Sequence, residues 1–249
     1  MKTIRVFHHY SLIPSGEKTP KSTIGVVIDV LRATTSMVHA VESGCPMILP
    51  VSEVSEAFAL RDEVRREKGR APLLGGEREG VRIEGFDLGN SPREFSAAKR
   101  PLILTTSNGT RAIVACGALD TLLIGSFLNG AAVVQRILAD LAGKTFWNIW
   151  LVCSGTGGAV AAEDSLLAGL LTDILCSVAG DATLDDGAIL ARDFWRSHSS
   201  DWTRVLSDSA NGLRLKTLGL EEDIFFACQR DVSAAVPTRF LLDGRVVLS

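Results

Sequence analysis

Short apolar runs alternate with segments of helical periodicity from Ile24 to Ser177. The apolar runs that predict buried strands are Ile24–Val30, Met47–Val51, Leu102–Thr106, Thr121–Gly125 and Ile149–Cys153. The segments with helical periodicity that follow them are Thr34–Ser43, Ser52–Gly69, Thr110–Ala115, Asn129–Leu141 and Ala159–Ala179. This alternation predicts an α/β fold in which helices cover a mostly parallel sheet.

The last quarter of the chain is more polar than the rest. It predicts a helix near Gly187–Arg196 and a weaker helix near Ala210–Leu218. The closing residues FLLDGRVVLS place Asp243 and Gly244 between two apolar runs, which predicts a type I′ hairpin. That hairpin would make the sheet mixed. Because no linker-like break divides the chain, we expect residues 1–249 to form a single domain.

The composition indicates a large buried core and argues against two classes of partner. Apolar residues make up 46% of the chain and charged residues 22%. The formal net charge of -3 lacks the basic excess that is typical of proteins binding nucleic acids or anionic membranes. The N-terminal residues lack the apolar core of a signal peptide, and no apolar run reaches about 18 residues. We therefore expect a cytoplasmic protein that binds neither nucleic acid nor membrane.

The five cysteines are scattered without a CxxC pair, and the four histidines are equally sparse. This pattern predicts reduced thiols and no zinc site. Cys153 ends a predicted strand before a glycine-rich loop, a position that can lower the pKa of a thiol. The cysteine-phosphatase pattern requires an arginine at position 159, where this chain has Ala159. We therefore interpret Cys153 as a small buried residue.

Five short segments combine small residues with hydrogen-bonding side chains. The segments are Asp29–Ser36 (DVLRATTS), Gly75–Gly80 (GGEREG), Asp87–Glu94 (DLGNSPRE), Thr105–Arg111 (TTSNGTR) and Cys153–Asp164 (CSGTGGAVAAED). Three of them follow a clear strand and open a helix. Ligands of open α/β sheets bind beyond the carboxyl ends of the strands, where helix N–H groups attract an anion. Ordinary turns and helix caps would explain any one of these segments, but five together favour a binding site.

Charged residues divide the five segments into two kinds. The first four segments contain one arginine each, namely Arg32, Arg78, Arg93 and Arg111. The fifth has no arginine and ends on Glu163 and Asp164. Guanidinium groups match phosphate and carboxylate oxygens, whereas carboxylates suit a hard cation such as Mg²⁺. The sequence therefore predicts an arginine-rich wall that faces a carboxylate wall.

Asp29 is the strongest single candidate for chemistry. It ends an apolar strand, where a carboxylate is unfavourable unless it is paired, hydrogen-bonded or metal-bound. The aspartyl-phosphate phosphatase pattern DxDx[TV] is broken, because Leu31 stands at its second acidic position. The chain also lacks the GxxxxGK[ST] lysine of a P-loop and a GxGxxG dinucleotide motif.

Several long motifs in the same order resemble those of a known family. They are VVIDVLRATTS, GGEREGVRIEGFDLGNSP, LTTSNGTRA, CSGTGGAVAAEDSLLAGLL and DIFFACQRDVSAAVP. Together they span nearly the whole chain and resemble the 2-phosphosulfolactate phosphatases, the ComB family of coenzyme M biosynthesis. The resemblance implies a three-layer α/β/α fold and Mg²⁺-dependent removal of phosphate from 2-phosphosulfolactate to give 3-sulfolactate. A related phosphorylated 2-hydroxy acid is an alternative substrate.

A hypothesis for the site assigns three roles. The predicted catalytic residues are Asp29 and Arg32. The predicted substrate-binding residues are Thr34, Thr35, Arg78, Ser107, Asn108, Gly109, Thr110, Arg111, Gly155, Thr156 and Gly157. The predicted Mg²⁺ ligands are Asp29, Asp87, Glu163 and Asp164. These residues would bind a small substrate that carries phosphate, carboxylate and sulfonate groups.

Two other functions use the same loops. One is a non-catalytic sensor of a phosphorylated or sulfonated metabolite, and the other is an isomerase or transferase that binds a sugar phosphate or nucleotide. Apolar Leu, Phe and Trp residues in the C-terminal third could form a homodimer contact or close the sheet. The sequence leaves these alternatives open.

Overall fold

The computed structural model describes residues 2–14, 20–97, 99–242 and 245–249, and within them the strands form two sheets. In spatial order, the parallel first sheet contains β7 (Thr121–Gly125), β2 (Thr23–Ile28), β8 (Trp147–Cys153), β1 (Lys2–Phe7) and β9 (Thr183–Leu184). The mixed second sheet contains β10 (Arg239–Leu242), β11 (Arg245–Leu248), β3 (Ile48–Pro50), β6 (Leu102–Thr105), β4 (Leu73–Arg78) and β5 (Val81–Arg82). The sheets meet where Thr238 bridges Leu123 of β7.

The helices alternate with the strands up to β9 and then follow one another. They are α1 (Ala33–Glu42), α2 (Val54–Lys68), α3 (Gly109–Ala115), α4 (Gly130–Leu141), α5 (Ala162–Ala179), α6 (Asp186–His198), α7 (Trp202–Asp208), α8 (Ala210–Thr217) and α9 (Glu221–Ala227). Short 3-10 helices occupy Tyr10–Leu12, Pro92–Ala97 and Phe127–Asn129. The helical stretch predicted from Ala159 begins at Ala162.

Helices cover both faces of the parallel sheet. Since neighbouring residues of a strand point to opposite faces, each strand contributes side chains to two cores. Val26 of β2 packs in a core that includes Ile137 of α4 and side chains of α5 and α6. Val27 packs in a second core with Met37 of α1 and Ile113 of α3. This core also contains side chains of the second sheet. The predicted three-layer α/β/α fold is confirmed. The prediction of one central sheet is corrected to two, since β3 and β6 belong to the mixed sheet.

Strand β4 contains a glycine pair, Gly75 and Gly76, whose composition predicts a loop. A Cβ atom at Gly76 would collide with the carbonyl oxygen of Thr105 on β6. A Cβ atom at Gly75 would lie 3.2 Å from Phe95 and 3.1 Å from Leu102. The two glycines therefore allow β4 to pack closely against its neighbours. This explains why a segment with the composition of a turn forms an extended strand.

The end of the chain forms the antiparallel pair that the sequence predicts. Phe240 lies opposite Val247, and Leu242 lies opposite Arg245. This pairing confirms that the sheet is mixed, while the predicted type I′ turn at Asp243-Gly244 lies outside the described residues. Among the helices of the described chain, none combines the length and hydropathy that a bilayer span requires.

Candidate active site

A cavity of about 330 Å³ opens at the carboxyl ends of the central strands. The predicted site residues that line it are Asp29, Arg32, Ser107, Asn108, Arg111, Thr156 and Gly157. The polar residues that line it without having been predicted are Glu77, Glu79, Asn90, Asn211 and Arg214. The loops after β2, β6 and β8 therefore converge as predicted, and the turn after β4 and helix α8 complete the enclosure.

Asp29 lies directly after β2, and the first turn of α1 fixes its position. Its Oδ1 atom accepts a hydrogen bond from the Ala33 amide at 3.2 Å. The Thr34 hydroxyl donates to the Asp29 carbonyl oxygen at 2.9 Å, and the Thr35 hydroxyl donates to the carbonyl oxygen of Val30 at 2.8 Å. Both threonines are fully buried. The structure thus places Thr34 and Thr35 behind the loop and not against the cavity.

The loop after β6 approaches Asp29 closely because Gly109 has no side chain. A Cβ atom at Gly109 would lie 2.6 Å from Asp29 Oδ2. Next to it, the fully buried Thr110 hydroxyl donates to the Thr106 carbonyl oxygen and stabilises the start of α3. Ser107 lines the cavity, and its amide donates to Glu77 Oε1 at 2.8 Å. Gly109 therefore permits the approach, while Thr110 supports the loop from behind.

Glu163 and Asp164 are adjacent in the sequence but differ in how their oxygens are bonded. Asp164 Oδ1 accepts the Val30 amide at 2.8 Å, and Oδ2 accepts the Ser154 hydroxyl at 3.0 Å and the Gly155 amide at 3.2 Å. Asp164 thus joins the loops after β2 and β8. Glu163 is 1% exposed, and its Oε2 atom has no hydrogen-bond partner. Of the two, only Glu163 has a carboxylate oxygen without a hydrogen-bond partner, and neither residue is among those that line the cavity.

Gly155 and its neighbours form the turn that brings the last loop to the cavity. Gly155 has a φ of 66°, and a Cβ atom there would collide with the His9 ring and the Ala159 carbonyl oxygen. Gly157 also has a positive φ, of 57°, and lines the cavity together with Thr156. Glycine is therefore required at Gly155 by both conformation and packing.

The acidic residues of the site lie close enough to affect one another's protonation. Burial raises the pKa of Asp29 to about 7, and the negative charges of Glu77 and Glu163 contribute to this rise. Burial also raises the pKa of Glu163. Burial and the charges of Asp29 and Glu163 raise the pKa of Asp164 well above its usual range. Such a concentration of carboxylates away from water favours the binding of a cation.

Glu77 and Arg78 show how the strand β4 divides its side chains. Glu77 faces the cavity, and its Oε2 atom accepts the Gly80 amide at 2.6 Å. Arg78 donates instead to the Thr105 hydroxyl at 2.9 Å and to the Ser52 carbonyl oxygen at 3.1 Å. The structure therefore does not place Arg78 against the cavity. Alternation along a strand was the signal that could have identified Glu77, had β4 been recognised as a strand.

Of the segment Asp87–Glu94, Asn90 lines the cavity and the charged residues do not. Asp87 accepts the Leu74 amide at 2.8 Å, and Arg93 is exposed; neither lines the cavity. Asn90 is 4% exposed, and its Oδ1 atom has no hydrogen-bond partner. A buried amide oxygen of this kind usually has a partner, so Asn90 is a candidate for ligand binding.

Helices α8 and α9 add residues that sequence patterns did not indicate. Asn211 donates from its side-chain amide to Glu163 Oε1 and to the Thr156 hydroxyl, both at 2.6 Å. Arg214, one helical turn later, lines the same cavity. Asp223 of α9 forms a buried ion pair with Arg32. These contacts connect residues that are far apart in the sequence.

The acidic residues of the site suit a magnesium ion, which keeps several water ligands, better than a metal ion whose ligands are all protein side chains. In the described part of the chain, no group of three or more His, Cys, Asp or Glu side chains is arranged to hold a metal ion. Mg²⁺ commonly keeps several waters and uses only one or two carboxylates. Asp29 lines the cavity, and Glu163 is buried close enough for its charge to raise the pKa of Asp29, so these two carboxylates are the candidates for such ligands. Asp87 lies apart from it, and the oxygens of Asp164 already accept hydrogen bonds.

Cys153 is fully buried at the end of β8. Burial, together with the charges of Asp164 and Glu163, raises the pKa of its thiol well above the usual range. A protonated, inaccessible thiol is a poor nucleophile, which agrees with its interpretation as a packing residue.

The fold and the site together define an α/β/α enzyme class in which buried carboxylates face arginines at the carboxyl ends of parallel strands. The chain belongs to the 2-phosphosulpholactate phosphatase family, whose model matches residues 7–239. That match includes every predicted site residue.

Relatives of similar length agree with this family. A probable 2-phosphosulfolactate phosphatase of Caldicellulosiruptor saccharolyticus is 34% identical over 234 residues, which cover 93% of this chain and 93% of that protein. A protein of the same name from Symbiobacterium thermophilum is 34% identical and covers 95% of this chain and 98% of its own length. Another, from Deinococcus radiodurans, is 38% identical over 86% of this chain and 87% of its own length.

Proposed function

We propose that this protein is a Mg²⁺-dependent phosphatase that hydrolyses 2-phosphosulfolactate, or a related phosphorylated 2-hydroxy acid, to 3-sulfolactate and phosphate. The family and the names of its relatives support the reaction. The five cysteines are free in the structure, which suits the reducing cytoplasm in which we expect the enzyme to act.

One observation carries the proposal: buried carboxylates and arginines share one small cavity. Asp29, Arg32, Arg111 and Arg214 all line it. The volume of about 330 Å³ is sufficient for a three-carbon substrate with several anionic groups. A substrate with phosphate, carboxylate and sulfonate groups would place an anion near each arginine.

The arginines differ in how firmly they are held. Arg32 is 5% exposed and engaged by Asp223, so its guanidinium group has a fixed orientation. Arg111 is exposed and lies 3.6 Å from Glu53, a contact that solvent weakens. We therefore assign Arg32 to the phosphoryl group, where orientation matters most, and Arg111 and Arg214 to the more distant anionic groups.

Asp29 and Glu163 would hold the magnesium ion, with waters completing its coordination. When bound, the ion supplies positive charge that offsets the charge on the phosphoryl oxygens. Asn211 would keep Glu163 oriented, because it donates to Oε1 and leaves Oε2 free. Asp164 would keep the loops after β2 and β8 in register through its three hydrogen bonds.

The reaction joins an oxygen nucleophile to phosphorus and breaks the bond between phosphorus and the ester oxygen of the substrate. Water supplies the new oxygen of phosphate, and the released substrate oxygen takes a proton to become the hydroxyl group of 3-sulfolactate. Asp29 acts either by accepting the proton of the attacking water or by attacking phosphorus before water releases the phosphate. Arg32 stabilises the charge on the phosphoryl oxygens in either case.

The test is phosphate release from 2-phosphosulfolactate with Mg²⁺, after chelation, and after Mg²⁺ is restored. We expect release that chelation abolishes and Mg²⁺ recovers. 2-Phospholactate, which lacks the sulfonate group, measures how much that group contributes to KM. No phosphate release from either ester would contradict the proposal and favour a sensor. Conversion of a sugar phosphate without free phosphate would favour an isomerase or transferase.

A further inference from the structure

Arg32 forms a buried ion pair with a residue 191 positions later in the chain. The Nη1 atom of Arg32 donates to Asp223 Oδ2 at 2.7 Å, and the two side chains are 4% and 2% exposed. The Nη2 atom donates to the Gly80 carbonyl oxygen at 3.0 Å. The Ser91 hydroxyl donates to the other oxygen of Asp223, Oδ1, at 2.6 Å. Two partners on different segments, Asp223 and Gly80, therefore hold the guanidinium group, and Ser91 in turn holds Asp223.

Arg32 contacts the cavity, whereas Asp223 stands behind it. Arg32 is among the residues that line the cavity, and Asp223 is not. A guanidinium group has more N–H donors than the contacts to Asp223 and Gly80 use, so others remain for an anion in the cavity. The planar group can present those donors correctly only if it cannot rotate. Asp223 and Gly80 prevent that rotation by binding separate nitrogens.

A purely stabilising role explains this arrangement poorly. Removing two charges from water is unfavourable, and well-packed apolar residues usually stabilise a fold as well as a buried ion pair does. Arg32 also forms no side-chain hydrogen bond that caps α1. The ion pair is better explained by a role in orienting the guanidinium group of Arg32.

We propose that Asp223 is a positioning residue that orients Arg32 toward the phosphoryl group of the substrate, an inference that rests on the proposed phosphatase function. Helix α9 thereby takes part in catalysis without touching the substrate. Ser91 supports Asp223 by occupying its second oxygen.

A double-mutant cycle tests this inference through kcat and KM. Asp223→Asn keeps the size of the side chain but removes its charge, and we expect kcat/KM to fall on the order of 100-fold, as for a misplaced catalytic group. For Arg32→Ala, kcat/KM should fall at least as far, and the loss should divide between kcat and KM in the same way. The double variant should be no worse than Arg32→Ala alone, because the two residues act as one unit. Additive losses would overturn the inference.

Matched variants separate positioning from folding. Asp140→Asn removes the same charge from an exposed Arg–Asp pair on α4, formed with Arg136 at 3.0 Å, and should leave kcat/KM unchanged. Ser91→Ala leaves the ion pair intact and should lose less activity than Asp223→Asn. Urea unfolding of each variant shows whether it is folded at the assay temperature. If Arg32→Ala does not fold, Arg32→Lys, which keeps the charge but not the planar group, replaces it in the cycle.

Added guanidinium ion provides a readout that a structural role would not change. It should restore part of the activity of Arg32→Ala, because Asp223 remains to bind and orient it. The double variant should show no such recovery, and equal recovery in both would overturn the inference. If the wild-type enzyme releases no phosphate, the proposed function fails on its own. The same cycle is then measured by calorimetric binding of inorganic phosphate, where additive losses again count against Asp223.

Discussion

Two walls of the cavity, whose enclosure the turn after β4 completes, differ in how their residues are distributed along the chain. The strand-end wall consists of Asp29, Arg32, Ser107, Asn108, Arg111, Thr156 and Gly157, which follow β2, β6 and β8. The helical wall consists of Asn211 and Arg214 on α8, with Asp223 on α9 behind it. The strand-end wall carries Asp29 and Arg32, which are assigned to the reaction. Asn211 and Asp223 of the helical side orient other residues, while Arg214 is assigned to a more distant anionic group of the substrate. The difference indicates that reactivity and orientation come from separate parts of the fold.

The largest effect is expected at the centre of the strand-end wall. Asp29→Asn should lower kcat on the order of 10³-fold, because it removes the proposed reactive carboxylate. The asparagine oxygen can still accept the Ala33 amide, so the free energy of unfolding should change little. Phosphate release and urea unfolding measure the two quantities. Ordinary Mg²⁺-dependent turnover in this variant would remove Asp29 from the mechanism.

Glu163 accepts a hydrogen bond from Asn211 of the helical wall, and its substitution should affect magnesium binding. Glu163→Gln should weaken the apparent Mg²⁺ affinity by about 10- to 100-fold, the range for a disturbed metal site. Titration of activity with Mg²⁺ measures this change.

Asp164→Asn is the matched control for Glu163→Gln, since it removes the adjacent carboxylate charge. It should lower the free energy of unfolding by about 1–3 kcal/mol, because Asp164 accepts three hydrogen bonds from two loops. If the two variants changed Mg²⁺ affinity equally, the distinction between their oxygens would be wrong.

Asn211→Ala tests whether the helical wall orients the strand-end wall. We expect kcat/KM to fall about tenfold, as when an outer partner of a metal ligand is removed. The reason is that Glu163 Oε1 and the Thr156 hydroxyl would both lose a donor at 2.6 Å. Leu213→Ala, at an exposed position on the same helix, is the control and should retain full activity. Equal activity of the Asn211→Ala and Leu213→Ala variants would show that α8 covers the cavity without orienting the strand-end wall.

The smallest effects are expected at the two exposed arginines, one from each wall. Arg111→Ala and Arg214→Ala should each raise KM about 2- to 5-fold with little change in kcat, because solvent weakens their interactions with an anion. Arg78→Ala is the control, since Arg78 bonds Thr105 and Ser52 instead of lining the cavity. A larger rise in KM for Arg78→Ala than for the other two would reverse the assignment.

Sequence patterns predicted most of the strand-end wall for a physical reason. A loop between a buried strand and a helix lies at the carboxyl edge of a parallel sheet, which brings Asp29 after β2 and Thr156 after β8 to the same edge. Ser107 follows β6 of the second sheet and reaches them through the close approach of its loop to Asp29. The same reasoning could not separate residues that face the cavity from those that support a loop. Thr34 and Thr110 have the side chains of ligand-binding residues, yet their hydroxyls bond the backbone behind the cavity.

The choice of Arg78 over Glu77 had a different origin. Composition suggested that both lie in a glycine-rich loop, where the arginine would be the natural anion ligand. The packing of Gly75 and Gly76 against β6 makes the segment a strand, and a strand directs neighbouring side chains to opposite sides. Tertiary contact thus decided which of the two residues faces the cavity.

The α/β class, the family and the loops that carry Asp29, Arg32 and Glu163 all follow from the order of amino acids in the chain. Periodicity and motif order are local properties, and each can be read without knowing what lies across the fold. Long-range packing determines that Asn211 and Asp223 reach those loops, and that Glu163 has an unpartnered oxygen while Asp164 does not. Contacts between residues so distant in the chain arise from the packing of α8 and α9 against the strand ends, which no local pattern specifies.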